Sequence, residues 1–126
     1  MAVTGFIIPM KVLIVDDNPQ IRQLLREYLI TFASNIYECS DGSEALSLFR
    51  EHMPDWVLMD QDMPVINGVT AIREIIAAFP KANICMVTAF NDEDLRSEAF
   101  AAGASGFVSK DSLYQIEAIL VGSLEH

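Results

Sequence analysis

Five times along this chain a short run of apolar, often β-branched residues stops at polar ones and gives way to apolar residues at helical spacing. That alternation leaves few folds open. Lys11 to Val15 is the first run, closed by Asp16-Asp17. Asn18 is placed to cap a helix and Pro19 to start it, with Ile21, Leu24, Leu25, Tyr28, Leu29 and Phe32 on one stripe. Ile36 to Cys39 is the second strand, leading through Asp41-Gly42 into a helix carrying Ala45, Leu46 and Phe49. Trp56 to Met59 ends at Asp60, and Val69, Ile72, Ile75, Ile76 and Phe79 mark a helix stopped by Pro80. Ile84 to Val87 ends at Thr88, before a helix expected to open at Asn91, with Asp92 to Asp94 in its first turn, and to close at Gly103. Gly106 to Val108 is the last strand, and Leu113, Ile116, Ile119 and Leu120 give the last helix its stripe. Five such units predict an α/β fold: a doubly wound, five-stranded parallel sheet with helices on both faces, as right-handed crossovers require.

With 126 residues, 52% of them hydrophobic, the chain fills one domain and leaves no room for a second. Residues 10–122 are assigned to it. Met1 to Pro9 precede Met10, which reads as a natural start, so they are expected to be an extension or vector residues; 123–126 read as a tag remnant. The net charge of −10, from 18 acidic and 8 basic residues, would repel a phosphate backbone, so direct nucleic-acid binding is not expected. No apolar run approaches the ~20 residues of a membrane helix, and the expected location is the cytoplasm. Cys39 and Cys85 lie in separate apolar runs without further ligands nearby, which favours buried free thiols over a disulfide or zinc site.

In a doubly wound sheet ligands bind beyond the carboxyl ends of the strands. Those ends supply Asp16, Asp17, Asp60, Thr88 and Lys110. Singly, each reads as an ordinary loop residue. Together they place three carboxylates in one crevice, where two charges at about 4 Å would cost about 4 kcal/mol at an effective dielectric of 20. A hard divalent cation relieves that repulsion, and Mg²⁺ suits a site with few protein oxygens and open positions for phosphate and water. A carboxylate so placed can attack phosphorus to form an acyl phosphate, with Lys110 neutralising charge and the Thr88 hydroxyl donating to a phosphoryl oxygen.

Four ordered motifs carry a resemblance: Val-Asp16-Asp17-Asn-Pro, Leu-Met-Asp60-Gln-Asp-Met-Pro64 with Asn67-Gly68, Val-Thr88-Ala89, and Phe107-Val-Ser-Lys110. From Met10 to about Val121 the chain resembles the receiver domains of two-component response regulators. That resemblance implies a flavodoxin-like strand order of 2-1-3-4-5, with Asp60 as the phosphorylated residue. It implies that Asp17, Asp60 and the backbone carbonyl of Asp62 hold Mg²⁺, assisted by Asp16. It gives Thr88 and Lys110 phosphate-binding roles and makes Phe107 the aromatic switch, against the plainer reading of Phe107 as core. The implied partner is a sensor histidine kinase or phosphotransfer protein. The implied output is a change in the face made by the fourth helix, fifth strand and fifth helix, with homodimerisation on phosphorylation as one form of it. The domain is expected to act as a switch rather than an enzyme, catalysing only its own phosphorylation and dephosphorylation.

Pro64 is read as stiffening the loop beyond Asp60, and Gly68 as permitting a tight turn into the next helix. Asp62 and Phe90 flank the site at positions where receivers vary. Asp111 follows Lys110 where receivers commonly carry a proline in a cis peptide. A non-proline cis bond costs roughly 2.5–4 kcal/mol, so either a trans link or a strained cis one held by its surroundings is expected here, with Asp111 beginning the cap of the last helix. Lys-Asp at this place also resembles receivers joined to helix-turn-helix output domains. Two other classes compete. Asp60-Gln61-Asp62 matches the paired aspartates of haloacid-dehalogenase-type phosphatases, but those lie on a first strand. A flavodoxin-like cofactor binder needs amide donors after the first strand, where Asp16-Asp17 would repel a phosphate.

Overall fold

A computed structural model describes residues 8–90 and 92–123. Five strands run parallel in one sheet: β1 (Ile8–Val15), β2 (Ala33–Cys39), β3 (Trp56–Met59), β4 (Ile84–Thr88) and β5 (Gly106–Ser109). Their order is β2-β1-β3-β4-β5, which is the doubly wound arrangement expected from the sequence. The helices are α1 (Pro19–Leu29), α2 (Gly42–His52), α3 (Gly68–Ala78), α4 (Glu93–Ala102) and α5 (Gln115–Gly122). None is long and apolar enough to cross a membrane among the described residues.

Side-chain alternation on the strands divides the core in two. Val12 and Ile14, Trp56 and Leu58, and Cys85 and Val87 pack with Leu25 and Leu29 of α1 and Ile116 and Leu120 of α5. The intervening Leu13 and Val15, Val57 and Met59, and Ile84 and Met86 pack with Phe49, Ile72, Ile75 and Ala99 from α2, α3 and α4. Cys39 and Cys85 are buried free thiols, which burial pushes up to pKa values of about 11 and about 12.

Several boundaries differ from the sequence reading. β1 starts at Ile8 rather than Lys11, with an irregular register between Ile8 and Lys11, where Pro9 has no N–H to give to the ladder. β2 starts at Ala33, three residues earlier than expected. It is an edge strand with an exposed middle, so it carries no continuous apolar run to announce it. α1 ends at Leu29, and Phe32 reaches the core from the turn that follows. Leu24 and Tyr28, read as part of the buried stripe, are 40% and 38% exposed. α4 begins at Glu93 with Asp92 as its cap, accepting from the Asp94 N–H at 2.9 Å; Asn91, the expected start, lies outside the described residues. Gly103 ends α4 in the left-handed region at φ 116°, as a C-terminal glycine should.

The last unit also needs correction. The Lys110–Asp111 peptide is trans, which decides between the two alternatives. Asp111 does not cap α5, however, because a 3₁₀ turn over Lys110–Ser112 intervenes, and Ser109 caps that turn by accepting from the Asp111 N–H at 3.2 Å. Asp111 is exposed, and α5 starts at Gln115 without a side-chain cap.

Candidate functional site

β1 and β3 are neighbours in the middle of the sheet, so the residues that follow them emerge side by side. The Asp60 N–H donates to the Val15 carbonyl at 2.9 Å, and the Asp16 N–H to the Cys39 carbonyl at 3.1 Å, carrying the ladder to the edge of the crevice. There the carboxylates of Asp16, Asp17 and Asp60 converge, each offering an oxygen, all within 4.8 Å of one another. Asp16 and Asp60 are buried, at 1% and 4% exposure, while Asp17 is open to solvent.

Lys110, just past β5, enters from the sheet's edge. Its Nζ lies 3.0 Å from Asp60 Oδ1 and 3.1 Å from Asp16 Oδ2. Burial pulls this ammonium down, but its ion pairs with Asp60 and Asp16 outweigh that and leave it above its ordinary value. Asp60 moves the other way from a usual carboxylate: burial first, then the charge of Asp16, raise it from 3.8 to about 6 despite Lys110. Asp16 Oδ1 accepts from the Asn18 N–H at 2.8 Å. Asp16 Oδ2 is buried and has only the ion pair with Lys110, off the direction of a hydrogen bond, so a lone pair there stays unshared.

That unshared oxygen bears on whether the residues fit a divalent ion. Oxygens around Mg²⁺ at about 2.1 Å lie roughly 3–4 Å from one another, so three carboxylates within 4.8 Å need only a small contraction to share one. The donor set is all oxygen and negatively charged, as a hard cation requires. Asp16, Asp17 and Asp60 therefore fit Mg²⁺. Asp62 sits in the exposed loop two residues on.

Thr88 closes β4 and is fully buried; its Oγ1 accepts from the Phe90 N–H at 3.2 Å, leaving its own O–H to donate. Phe90 is 56% exposed. Phe107 on β5 is 9% exposed and packs with the core on the α4 side, with the Arg96 guanidinium 5.6 Å from its ring centre and 5.2 Å from that of Phe100.

Two contributors went unread in the sequence. Arg22 on α1 donates to the Asp16 carbonyl at 2.7 Å and pairs with Glu38 at 3.1 Å, a carboxylate that Arg26 also grips. The signal available was two arginines at i and i+4 on the helix that follows the acidic pair. Gln61, next to Asp60, accepts from the Val69 N–H through its side chain at 3.0 Å. Gly68 permits the tight turn expected of it through room and not through a positive φ, since a Cβ there would lie 2.2 Å from the Asp60 carbonyl oxygen.

A doubly wound parallel sheet that collects carboxylates and one ammonium beyond its strand ends defines an α/β domain with an acidic site. More narrowly, the chain belongs to the response regulator receiver domain family, whose sequence model matches residues 12–120. Among its relatives, the uncharacterized transcriptional regulatory protein YhcZ of Bacillus subtilis is 37% identical over 105 residues, covering 82% of this chain and 49% of YhcZ. The chemotaxis protein CheY of Halobacterium salinarum is 38% identical over 100 residues, covering 79% of this chain and 83% of CheY. The chain thus spans about half the length of the first and most of the second. Similar solved structures include a two-component response regulator of the LuxR family from Aurantimonas, with TM-score 0.81, 36% identity, and 91% and 87% of the two chains covered. Another is the CheX-CheY-BeF₃-Mg²⁺ complex from Borrelia burgdorferi, with TM-score 0.83, 27% identity, and 93% and 90% covered. The chain is a receiver domain of two-component signalling, with the fold those structures share.

Proposed function

We propose that this domain accepts a phosphoryl group on Asp60 in a Mg²⁺-dependent reaction. The observation that carries the proposal is the convergence of Asp16, Asp17 and Asp60 on one point, with Lys110 ion-paired to two of them and Asp16 Oδ2 without a hydrogen bond. Asp16, Asp17 and Asp60 would hold the ion, with the Asp62 carbonyl as a further ligand, and the ion supplies charge neutralisation for the transferring oxygens. A carboxylate oxygen of Asp60 attacks the phosphorus of a phosphohistidine. The P–N bond breaks as the P–O bond forms, and the leaving imidazole recovers a proton. Lys110 moves its ammonium from the carboxylates toward the phosphoryl oxygens. Thr88 donates its free O–H to one of them, which draws its loop inward.

A sensor histidine kinase or phosphotransfer protein is the donor, in the cytoplasm, and the α4-β5-α5 face is the output. Phe107 lies within that face, and its burial against α4 suits a side chain that follows Thr88. Homodimerisation on phosphorylation is one readout of that change. The relative with Mg²⁺ and BeF₃, whose fluoride geometry mimics a phosphoryl group, supports the same chemistry here. Apart from phosphorylating and dephosphorylating itself, the domain turns over no substrate.

The test is the intact mass of wild type and Asp60→Asn after acetyl phosphate with Mg²⁺. Wild type gains one phosphoryl group and the variant none. A wild type that takes up neither a phosphoryl group nor beryllofluoride overturns the proposal.

A further inference from the structure

Every helix begins with N–H groups that lack partners inside the helix, and a buried start must find acceptors elsewhere. In α3 they can be accounted for individually. The Gly68 N–H donates to the Gln61 carbonyl at 2.9 Å and the Val69 N–H to Gln61 Oε1 at 3.0 Å. The Thr70 N–H donates to Asn67 Oδ1 at 2.9 Å, and the first bond of the helix proper runs from Ala71 to the Asn67 carbonyl at 3.0 Å. The formal cap residue, Asn67, therefore satisfies one of the first three donors, and Gln61 satisfies the other two with its main chain and its side chain.

Gln61 stands between Asp60 and Asp62, so these two bonds fasten the chain at the middle of the site's central loop. Gly68 fixes the approach from the other side, since its Cα sits against the Asp60 carbonyl with no space for a Cβ. A five-atom reach from Cα to acceptor is what spans this gap; asparagine is one methylene too short, and leucine has the bulk without the acceptor. The Asp60–Asp62 backbone is held from α3 and not only from β3.

We propose that Gln61 is a positioning residue for the metal site: by capping α3 it presets the Asp60 carboxylate and the Asp62 carbonyl in the arrangement that receives Mg²⁺. This rests on the metal reading given above. Residues that orient ligands in this way typically change metal affinity by 10–100-fold, and Gln61, acting through backbone, belongs at the lower end.

The experiment is isothermal calorimetry of Mg²⁺ binding at 25 °C on the full chain, with melting temperature in EDTA measured alongside. Gln61→Leu and Gln61→Asn weaken Mg²⁺ binding by about 10-fold. Gln61→Glu, which keeps the acceptor at the same reach and favours the helix N-terminus, binds at least as tightly as wild type. Asn67→Ala removes the remaining cap and leaves both Gln61 bonds in place, and so lowers the melting temperature with its Mg²⁺ affinity unchanged. If Gln61→Leu and Gln61→Asn bind Mg²⁺ like wild type, or Asn67→Ala weakens binding equally, the positioning role is overturned while the metal reading stands. If wild type itself gives no Mg²⁺ isotherm, the metal reading falls and takes this one with it.

Discussion

Replacing Asp60 by asparagine is expected to stabilise the metal-free domain at neutral pH. Asp60 is 4% exposed and shares its crevice with Asp16 and Asp17, and its pKa rises from 3.8 to about 6. A raised carboxyl pKa means that the native state binds the proton more tightly than the unfolded chain does. Above pH 6 both states are ionised, and the native state bears the whole cost of the buried charge. Between pH 6 and 4 the native carboxyl takes its proton first and the cost fades. A carboxyl pKa raised from 3.8 to about 6, at 1.36 kcal/mol for each tenfold in proton affinity, gives about 3 kcal/mol at pH 7.5, and linkage leaves roughly half of it at pH 5.

Asparagine keeps the shape and an oxygen for Lys110 without the charge. Urea unfolding in EDTA, followed through the single tryptophan, Trp56, should therefore show Asp60→Asn more stable than wild type by about 2–3 kcal/mol at pH 7.5, with a gap that narrows on acidification. Mg²⁺ closes the gap, because at 100 times its dissociation constant it adds about 2.7 kcal/mol to the wild type and little to a variant lacking a ligand. An Asn variant no more stable than wild type at pH 7.5, with a gap indifferent to pH, would refute the reasoning: the Lys110 pair would then outweigh burial and repulsion.

Three other substitutions probe the frame around that charge. Lys110→Met strips the cation from Asp16 and Asp60 and should cost about 3 kcal/mol at pH 7.5 in EDTA, recovered in part by Mg²⁺ or by lowering the pH; urea midpoints under the three conditions check it. Gly68→Ala drives a Cβ to 2.2 Å from the Asp60 carbonyl oxygen, backbone against backbone, and should cost about 3 kcal/mol by the same unfolding assay. Met53 ends α2 in the left-handed region at φ 46° and is 52% exposed, so Met53→Gly should gain about 0.5–1 kcal/mol, a rise of roughly 2–4 °C by calorimetry.

What could be read from the sequence follows from how each element is buried. β3 and β4 lie inside the sheet with helices on both faces, and their residues are all buried, so each appears as an unbroken apolar run ending at a polar residue. Asp60 and Thr88 are conspicuous for that reason. β2 lies at the edge with only its ends buried, and its sequence resembles a loop until Ile36. α1 shows the opposite error: Leu24 and Tyr28 fall on the apolar stripe, yet the sheet covers only Leu25 and Leu29 fully. Gln61 and Arg22 went unread because each works through a bond to backbone whose position depends on loop and sheet geometry, which no spacing rule encodes. Gly68 was read as permitting a tight turn, but that the turn needs room and not a positive φ does not show in sequence, where the two kinds of glycine look alike.

Counting charge in the crevice gives a last expectation. Three carboxylates and one ammonium leave it with two net negative charges when ionised, and Asp60 already resists its own. Converting the Asp60 carboxylate to an acyl phosphate replaces one negative charge with nearly two. Without a divalent cation, phosphorylation would move the crevice from about −2 toward −3, in surroundings where neighbouring like charges cost several kcal/mol. With one bound, the change is from about neutral to −1. Lys110 cannot make up the difference, because its single charge is already shared between Asp16 and Asp60. Phosphorylation of Asp60 by acetyl phosphate should therefore fall by more than about 100-fold when EDTA replaces Mg²⁺, since about 3 kcal/mol of unrelieved repulsion corresponds to that factor. Intact-mass time courses measure it directly. A rate in EDTA within 10-fold of that in Mg²⁺ would mean that the crevice tolerates the added charge by another route, and that the acidic cluster is kept for something other than holding a cation.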